Sequence, residues 1–226
     1  MARRHGARTG AARPTLIPGR PMNPLDPKVL LRAEMRERLR ATTSGQWAVA
    51  SVAVAARIRL LAAWRQARWV GAYVPMAREI DVLPLVAEAL ARGARVAIPG
   101  WDPALEAYGF REVRDLARDL VDGPHGARVP SGGCPAVDAG RLDFVLVPGI
   151  AFDATGGRLG RGKGFYDRLL AGCTGLTCGV GMDDQGVPLV PMEPHDVRLD
   201  LVVLPGGCHG PGSPAGQGRA GRGTSD

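Results

Sequence analysis

Lysine is almost missing from this chain. Of the 29 basic residues only Lys28 and Lys163 are lysines, and all the others are arginines. This bias suggests that the chain uses arginine wherever either cation would serve. The two lysines are therefore candidates for positions that need a compact, rotatable ammonium, as when a point charge holds a phosphate. Lys163 lies in a glycine-rich stretch, which favours a phosphate site there, although chance alone could also place one of two lysines in it.

Long apolar runs and cysteine motifs are missing as well. No apolar run reaches the roughly 18 residues of a membrane-spanning helix, so the sequence predicts no membrane span and no membrane partner. The four cysteines show no zinc-ligand spacing, and we expect them to be reduced thiols of a cytoplasmic protein. They are Cys134, Cys173, Cys178 and Cys208.

The first 25 residues contain no acidic residue and no apolar core of a secretory signal. An Arg-rich, acid-free leader faintly resembles an organellar transit peptide, but this one contains no serine, and glycines and prolines interrupt it. We therefore predict a disordered leader over residues 1–25. Met22 could itself be the start of the protein.

The net charge of +7 is concentrated at the ends of the chain. Residues 1–25 carry five arginines, and residues 205–226 carry two arginines against Asp226, which leaves about +1 for residues 26–204. A nearly neutral domain disfavours a basic groove for nucleic acid, although the ends could touch polyanions nonspecifically.

Alternating helical and extended patterns predict one α/β domain over residues 26–204. The length and the 45% hydrophobic content suit a single domain with a substantial core. Helices are expected over 26–41, 44–65, 81–92 and from the glycine-rich stretch to about 172, and strands over 69–74, 94–98, 105–110, 142–147, 176–182 and 199–204. This order implies a largely parallel sheet. Residues 115–122 could be helical or irregular, residues 124–140 are predicted to be loop, and residues 205–226 are predicted to be disordered.

The most informative stretch is the glycine loop, residues 156–167. It follows the apolar run 144–152 and precedes a helical pattern, which predicts a strand, a loop and a helix. Its glycines would let successive backbone N–H groups turn inward, and the start of the helix adds positive partial charge. The loop is therefore a candidate phosphate cradle. The glycines concerned are Gly160, Gly162 and Gly164.

Charged side chains of the glycine loop fit this interpretation. Arg158, Arg161 and Lys163 add full positive charges, and Asp167 is close enough in sequence to hold a metal ion against the same phosphates. The loop matches neither standard motif, because Gly164 stands where a P-loop has serine or threonine and the third glycine of the dinucleotide fingerprint is absent. On these residues alone, a flexible surface loop with a solvated charge cluster is an equal alternative.

Three other places carry candidate site residues. Lys28 and Arg32 begin a basic stripe on the first helix, which is more often a solvated face but here contains the second lysine. Glu79 lies at the carboxyl end of a predicted strand, where open α/β sheets bind ligands, although a plain surface carboxylate is the commoner case. His195 and Asp196 could be acid–base groups or metal ligands, or ordinary turn residues.

The glycine loop and the strand before it closely resemble the signature of the 5-formyltetrahydrofolate cyclo-ligases, also called 5,10-methenyltetrahydrofolate synthetases. The matching segments are VPGIAFD at 147–153 and RLGRGKGFYDR at 158–168. Three weaker matches follow in the family's order, and the resemblance covers about residues 26–204. These matches are Lys28 with Arg32, the segment from Met76 to Asp81, and His195 and Asp196 with Asp200.

The resemblance implies a three-layer α/β/α sandwich with a mostly parallel central sheet, similar to sugar-phosphate isomerases and CoA transferases. It also implies an enzyme that uses ATP and Mg²⁺ to close a ring in 5-formyltetrahydrofolate. ATP would phosphorylate the formyl oxygen, N10 would attack the activated carbon, and loss of phosphate would leave 5,10-methenyltetrahydrofolate and ADP. Positioning and charge stabilisation dominate phosphoryl transfer, in agreement with a cationic loop.

The resemblance further implies roles for individual residues. Arg161 and Lys163 would be catalytic, with Lys163 neutralising the transferred phosphoryl group, and Asp167 and Asp196 would hold Mg²⁺. Glu79 would accept hydrogen bonds from pterin N–H groups. The nucleotide would contact Lys28, Arg32, Arg158, Leu159, Gly160, Arg161, Gly162, Lys163, Gly164, Phe165 and Tyr166. The folate would contact Arg32, Val74, Glu79, Arg161, Gly162, Lys163, Gly164 and Phe165.

The chain departs from the family pattern in places. Residues 99–140 match poorly, so the resemblance assigns no folate contact there, and Phe165 stands where some members carry tyrosine. Two alternative functions follow: a related nucleotide-binding protein without folate turnover, and an RNA-associated protein acting through its basic ends. We expect a monomer whose substrates are small molecules and which has no specific nucleic-acid partner.

Overall fold

The computed structural model describes residues 26–102, 107–123 and 126–211. Five α-helices lie within these ranges: α1 (Pro27–Arg38), α2 (Ser44–Leu60), α3 (Ala62–Gln66), α4 (Leu83–Ala91) and α5 (Phe165–Leu170). The strands there are β1 (Trp69–Gly71), β2 (Arg95–Asp102), β3 (Ala107–Val113), β4 (Leu120–Asp122), β5 (Arg128–Pro130), β6 (Ala136–Val137), β7 (Phe144–Pro148), β8 (Ala151–Phe152), β9 (Arg158–Leu159), β10 (Leu176–Val180), β11 (Leu201–Leu204) and β12 (Gly207–His209). None of these helices is long and apolar enough to cross a bilayer.

An eight-stranded sheet forms the centre of the fold, in the order β12-β11-β10-β7-β1-β2-β3-β6. The five strands from β11 to β2 pair in parallel, and β12, β3 and β6 add antiparallel strands at the two sides. Two short hairpins, β4 with β5 and β8 with β9, lie outside this sheet. The prediction of a mixed α/β fold around a mostly parallel sheet is confirmed.

The central strands are apolar on both faces. In β7, Phe144 and Leu146 face one hydrophobic core, and Val145 and Val147 face another. The first core also receives buried side chains of α2, α3 and α4, and the second receives Leu169 and Leu170 of α5. A parallel strand covered on both sides reads as a continuous apolar run, which is why this segment was recognisable in the sequence.

Strands β1 and β7 are neighbours in the sheet, and the next sheet strand after each of them, β2 and β10, lies on the outer side of this pair. The chain passes from β1 through α4 to β2, and from β7 through α5 to β10. In open α/β sheets, ligands bind at such a switch point, beyond the carboxyl ends of the strands. Here the loop after β1 contains Glu79 and the loop after β7 is the glycine loop, so topology alone brings these two candidate segments together.

Helix α1 begins where the Asp-Pro signal predicts. The Asp26 side chain accepts a hydrogen bond from the Lys28 backbone N–H at 2.8 Å, and Pro27 occupies the first turn, where no N–H donor is needed. Buried Met35 packs in a small core with Ala151 and Leu159 of the β8–β9 hairpin. This packing holds the basic stripe of α1 beside the glycine loop.

Several predicted elements need correction. The predicted helix over 44–65 is two helices, because Leu61 between them has an extended backbone. The predicted strand over 69–74 forms ladder pairs only at 69–71. The predicted loop over 124–140 contains β5, which forms a short hairpin with β4, and β6, which pairs with β3. Both strands are only two or three residues long, too short for an alternating pattern to mark them.

The prediction of disorder from residue 205 onward is wrong at its start. Strand β12 pairs antiparallel with β11, and Cys208 packs against the larger core. Only two residues separate β12 from its partner β11, but glycine-rich composition over 206–210 masked the hairpin, because such composition is typical of disordered segments. The predicted leader at 1–25 and the rest of the predicted tail, 212–226, lie outside the described residues.

Candidate active site

The glycine loop follows β7 as predicted, but a hairpin comes first. Strands β8 and β9 pair with each other, and the chain then turns through the glycines into α5. Gly162 has φ +94° and Gly164 has φ +58°, in the left-handed region that disfavours side chains. Gly164 is the N-cap of α5, with no side chain capping the helix. The predicted strand, loop and helix are therefore present, with the hairpin inserted between strand and loop.

Buried Asp153 fixes the geometry of this hairpin. Its Oδ1 accepts hydrogen bonds from the backbone N–H groups of Thr155 and Gly157 at 2.8 and 2.9 Å. Its Oδ2 accepts from the Val190 N–H at 2.8 Å, which ties the hairpin to the segment leading to Glu193. Burial alone would raise the pKa of Asp153, but these bonds lower it. Asp153 was part of the signature but had no role assigned from the sequence.

Arg32 reaches the glycine loop from α1. Its Nε donates to the Gly160 carbonyl oxygen at 2.9 Å. A Cβ placed on Gly162 would come within 3.4 Å of the Arg32 guanidinium carbon. The structure therefore brings together Arg32 and the loop, which the sequence associated with the same ligands.

Lys28 contacts the segment after β10 instead of the loop. Its Nζ donates to Glu193 Oε2 at 2.9 Å and to Asp196 Oδ2 at 2.5 Å. Partial burial alone would lower the pKa of Lys28, but the bonds to Asp196 and Glu193 raise it. Burial likewise opposes ionisation of Asp196, and the bond from Lys28 lowers its pKa.

A possible cation site surrounds Asp196. Donor atoms of Glu193, His195 and Asp196 all lie within 4.8 Å of one another. The His195 Nε2 is 3.7 Å from Glu193 Oε2 and 3.8 Å from Asp196 Oδ1. Of the two residues predicted to hold Mg²⁺, Asp196 belongs to this cluster and Asp167 does not.

Buried Arg158 pairs with half-buried Asp167. The Arg158 Nη2 donates to Asp167 Oδ1 at 2.8 Å, and the same oxygen accepts from the Val197 N–H at 3.3 Å. The Arg158 side chain is 3% exposed, its guanidinium carbon lies 5.6 Å from the centre of the Tyr166 ring, and its Nε has no partner among the described residues. Arg158 therefore braces the loop from inside, a role that its sequence position did not indicate.

Glu79 and Arg161 form the contact between the two loops. The Arg161 Nη2 donates to Glu79 Oε1 at 2.9 Å, and the Met76 N–H donates to Glu79 Oε2 at 2.9 Å. Arg78, directly before Glu79, has φ +65°, a strained value for a residue with a side chain. Burial raises the pKa of Tyr73 and of Tyr166, and the Glu79 carboxylate adds to both shifts. Glu79 thus acts electrostatically on two phenols, of which Tyr73 is buried and Tyr166 half-buried.

The remaining predicted residues differ in accessibility. Lys163 is exposed, and within the described ranges no hydrogen bond or ion pair holds its ammonium. Leu159 is 1% exposed and packs with Met35, so only its backbone could face a ligand. Val74 is half-buried and packs against the larger core.

A row of aromatic side chains extends from the glycine loop across the sheet. Phe165 lies edge-to-face against Tyr108, with ring centres 4.7 Å apart, and Tyr108 lies edge-to-face against Trp101 at 5.4 Å. Trp101 is 51% exposed and Tyr108 46% exposed. Both fall in the region that resembles the family poorly, and sequence reasoning missed them. The available signal was an apolar surface residue at the end of each of two neighbouring strands.

Comparison with known proteins decides the family. The model of the 5-formyltetrahydrofolate cyclo-ligase family matches residues 25–205. This chain belongs to that family. A cyclo-ligase of Mycolicibacterium smegmatis is 38% identical over 143 residues, covering 61% of this chain and 74% of the relative. The Escherichia coli cyclo-ligase is 29% identical over 178 residues, covering 76% and 96%.

A solved cyclo-ligase structure has the same fold. The 5,10-methenyltetrahydrofolate synthetase of Aquifex aeolicus superimposes with a TM-score of 0.72 at 28% identity, over 88% of this chain and 96% of that one. The resemblance stated from the sequence is therefore confirmed, together with the fold class. The cyclo-ligase match ends at residue 205, just before β12.

Proposed function

We propose that this protein converts 5-formyltetrahydrofolate to 5,10-methenyltetrahydrofolate, with ATP cleaved to ADP and phosphate. The observation that carries the proposal is the contact between Arg161 and Glu79 at the carboxyl ends of adjacent strands. A cationic loop suited to phosphates meets a carboxylate suited to pterin N–H groups at one place. Family membership supplies the activity that such a juxtaposition would serve.

The nucleotide is proposed to bind along the glycine loop. Gly160, Gly162 and Gly164 keep the backbone accessible, and Arg32 and Lys163 supply positive charge. Because the Lys163 ammonium is exposed, it can turn toward a phosphate without breaking an existing bond. Lys28 would contribute from α1. Arg158 would act mainly through the loop that it braces.

Mg²⁺ is proposed to bind at Asp196. The carboxylate oxygens of Asp196 and Glu193 fit a hard cation, and they already attract the ammonium of Lys28. Asp167 has its Oδ1 occupied by Arg158, so its Oδ2 would be the ligand atom. Bound there, Mg²⁺ would neutralise charge on the nucleotide phosphates.

The folate is proposed to lie between Glu79 and the aromatic row. Glu79 would accept hydrogen bonds from pterin N–H groups, with Val74 beside it and Phe165 on the loop side. Exposed Trp101 and Tyr108 offer stacking surfaces for the rest of the molecule. The formyl group would then face the nucleotide across Arg161 and Lys163.

The reaction needs positioned charge more than a nucleophilic side chain. The formyl oxygen would attack the terminal phosphorus as the bond to ADP breaks, with Lys163 and Arg161 stabilising the negative charge in transfer. N10 then attacks the activated carbon and loses its proton, and phosphate departs with the former formyl oxygen. We further propose a monomeric enzyme of the cytoplasm without a specific nucleic-acid partner.

Formation of methenyltetrahydrofolate, followed by absorbance, tests the proposal. The purified protein is mixed with 5-formyltetrahydrofolate, ATP and Mg²⁺, and each component is omitted in turn. We expect product only in the complete mixture. Nucleotide binding without product would instead favour the alternative of a related nucleotide-binding protein. If the protein neither binds nucleotide nor forms product, both hypotheses are refuted.

A further inference from the structure

The two partners of the Glu79–Arg161 ion pair differ in their exposure to solvent. The Glu79 side chain is 12% exposed and the Arg161 side chain 58% exposed. Glu79 is also held by a second bond, from the Met76 N–H, in a turn that Arg78 closes with a strained backbone. Glu79 is therefore fixed in place, and Arg161, on the glycine loop, is the partner able to move.

The pair also neutralises the charge of the Glu79 carboxylate. A largely buried carboxylate without a counter-charge is costly, and the phenols of Tyr73 and Tyr166 nearby carry no compensating positive charge. In the structure Arg161 supplies the counter-charge, and the only other hydrogen-bond donor to Glu79 among the described residues is the Met76 N–H. Without a ligand, Arg161 thus covers the oxygen of Glu79 that a pterin would use.

We infer that Arg161 couples the two substrate sites. The inference rests on the proposed function. Nucleotide phosphates at the glycine loop draw the Arg161 guanidinium away from Glu79, and pterin N–H groups then take its place on the carboxylate. From the other side, folate at Glu79 releases Arg161 for the phosphates. The first substrate to bind meets the cost of breaking the pair, so the second substrate binds more tightly.

Such coupling is reciprocal by thermodynamic necessity. We expect a non-hydrolysable ATP analogue with Mg²⁺ to tighten the binding of 5-formyltetrahydrofolate at least about fivefold, the lower end of typical couplings, and the folate to tighten the analogue equally. Calorimetric titration measures both without turnover. An analogue that leaves folate affinity unchanged in the wild-type protein would overturn the inference.

Two substitutions test the role of the pair. Arg161→Met removes the counter-charge, so without the analogue folate should bind at least as tightly as to the wild type. The analogue should then change the folate affinity of this variant by less than about twofold. Glu79→Gln frees Arg161, so the analogue alone should bind more tightly than to the wild type. Glu79→Gln is the more robust variant because the amide keeps the shape and the Met76 bond.

The surface pair of Arg59 and Glu88 provides a matched control. Its Nε to Oε2 distance is 2.7 Å, and it lies between α2 and α4. Arg59→Met should leave both affinities and their coupling unchanged. The inference fails if Arg161→Met retains the coupling, or if Glu79→Gln binds the analogue no more tightly than the wild type. The proposed function is tested separately, by product formation in the wild-type protein. If the wild type forms product but either of these results is found, the coupling is refuted and the proposed function stands.

Discussion

Lys163 is the residue on which the phosphate interpretation depends most. It is one of only two lysines in the chain, and it is exposed on the glycine loop. The other lysine, Lys28, is tied to Asp196 and Glu193. The two lysines thus differ in the unliganded protein, since one is anchored and the other is available.

Lys163→Ala should lower turnover at least about 100-fold, the scale of losing one donor that stabilises developing charge. Because the side chain is exposed and unpaired within the described ranges, the unfolding temperature should hardly change. Steady-state kinetics and thermal unfolding measure the two effects. Arg65→Ala, on the exposed side of α3, is a control that should change neither. Near-normal turnover of the Lys163 variant would refute its role.

At the residue scale, the sequence points to charged candidates more readily than to aromatic ones. Residue type, spacing and the match to the family make Lys28, Arg32 and Glu79 candidates. Trp101 and Tyr108 face each other only because β2 and β3 pair in a register that makes them direct cross-strand neighbours. The strands predicted from the sequence, 94–98 and 105–110, leave Trp101 outside any strand, so the pair was not predicted.

At the scale of elements, the β8–β9 hairpin connects the glycine loop to the start of β11. Gly156, at its tip, has φ +84°, and a Cβ there would lie 2.0 Å from the Leu199 carbonyl oxygen. The Leu199 N–H donates to the Gly156 carbonyl oxygen at 2.8 Å. Only glycine allows this close approach of two backbones, so the hairpin depends on residue 156.

Gly156→Ala should lower the free energy of unfolding by at least about 3 kcal/mol, since a left-handed penalty adds to an overlap with backbone. Gly93 offers a matched control, with φ +82° and nothing within 4 Å of the added Cβ. Gly93→Ala should cost only about 1 kcal/mol, the left-handed penalty alone. Urea unfolding of both variants measures the difference. Equal losses would contradict the close approach at Gly156.

Elements with strong local signals were predictable, and very short strands without such signals were not. Helix α1 was predictable because Asp26 and Pro27 mark its first turn. Strands β5, β6 and β12 are two or three residues long and are stabilised by pairing with β4, β3 and β11. Their sequences, rich in glycine and proline nearby, gave the opposite indication.

At the scale of the whole molecule, the site follows from the strand order. Alternation of helices and strands predicted a parallel sheet, but it could not predict that β1 and β7 would be neighbours. That adjacency brings together the loop of Glu79 and the glycine loop, which are about 80 residues apart in the sequence. The contact between the two loops is a property of the topology, which local patterns could not predict.

The central claim is that the folate and the nucleotide meet in this one site, so that the formyl oxygen is transferred to phosphate. The most direct measurement uses 5-formyltetrahydrofolate labelled with ¹⁸O in the formyl group and mass analysis of the phosphate released. We predict that the label appears in inorganic phosphate, in step with the methenyltetrahydrofolate formed. Methenyltetrahydrofolate formed with unlabelled phosphate would contradict the account, because ATP would then not have activated the formyl oxygen.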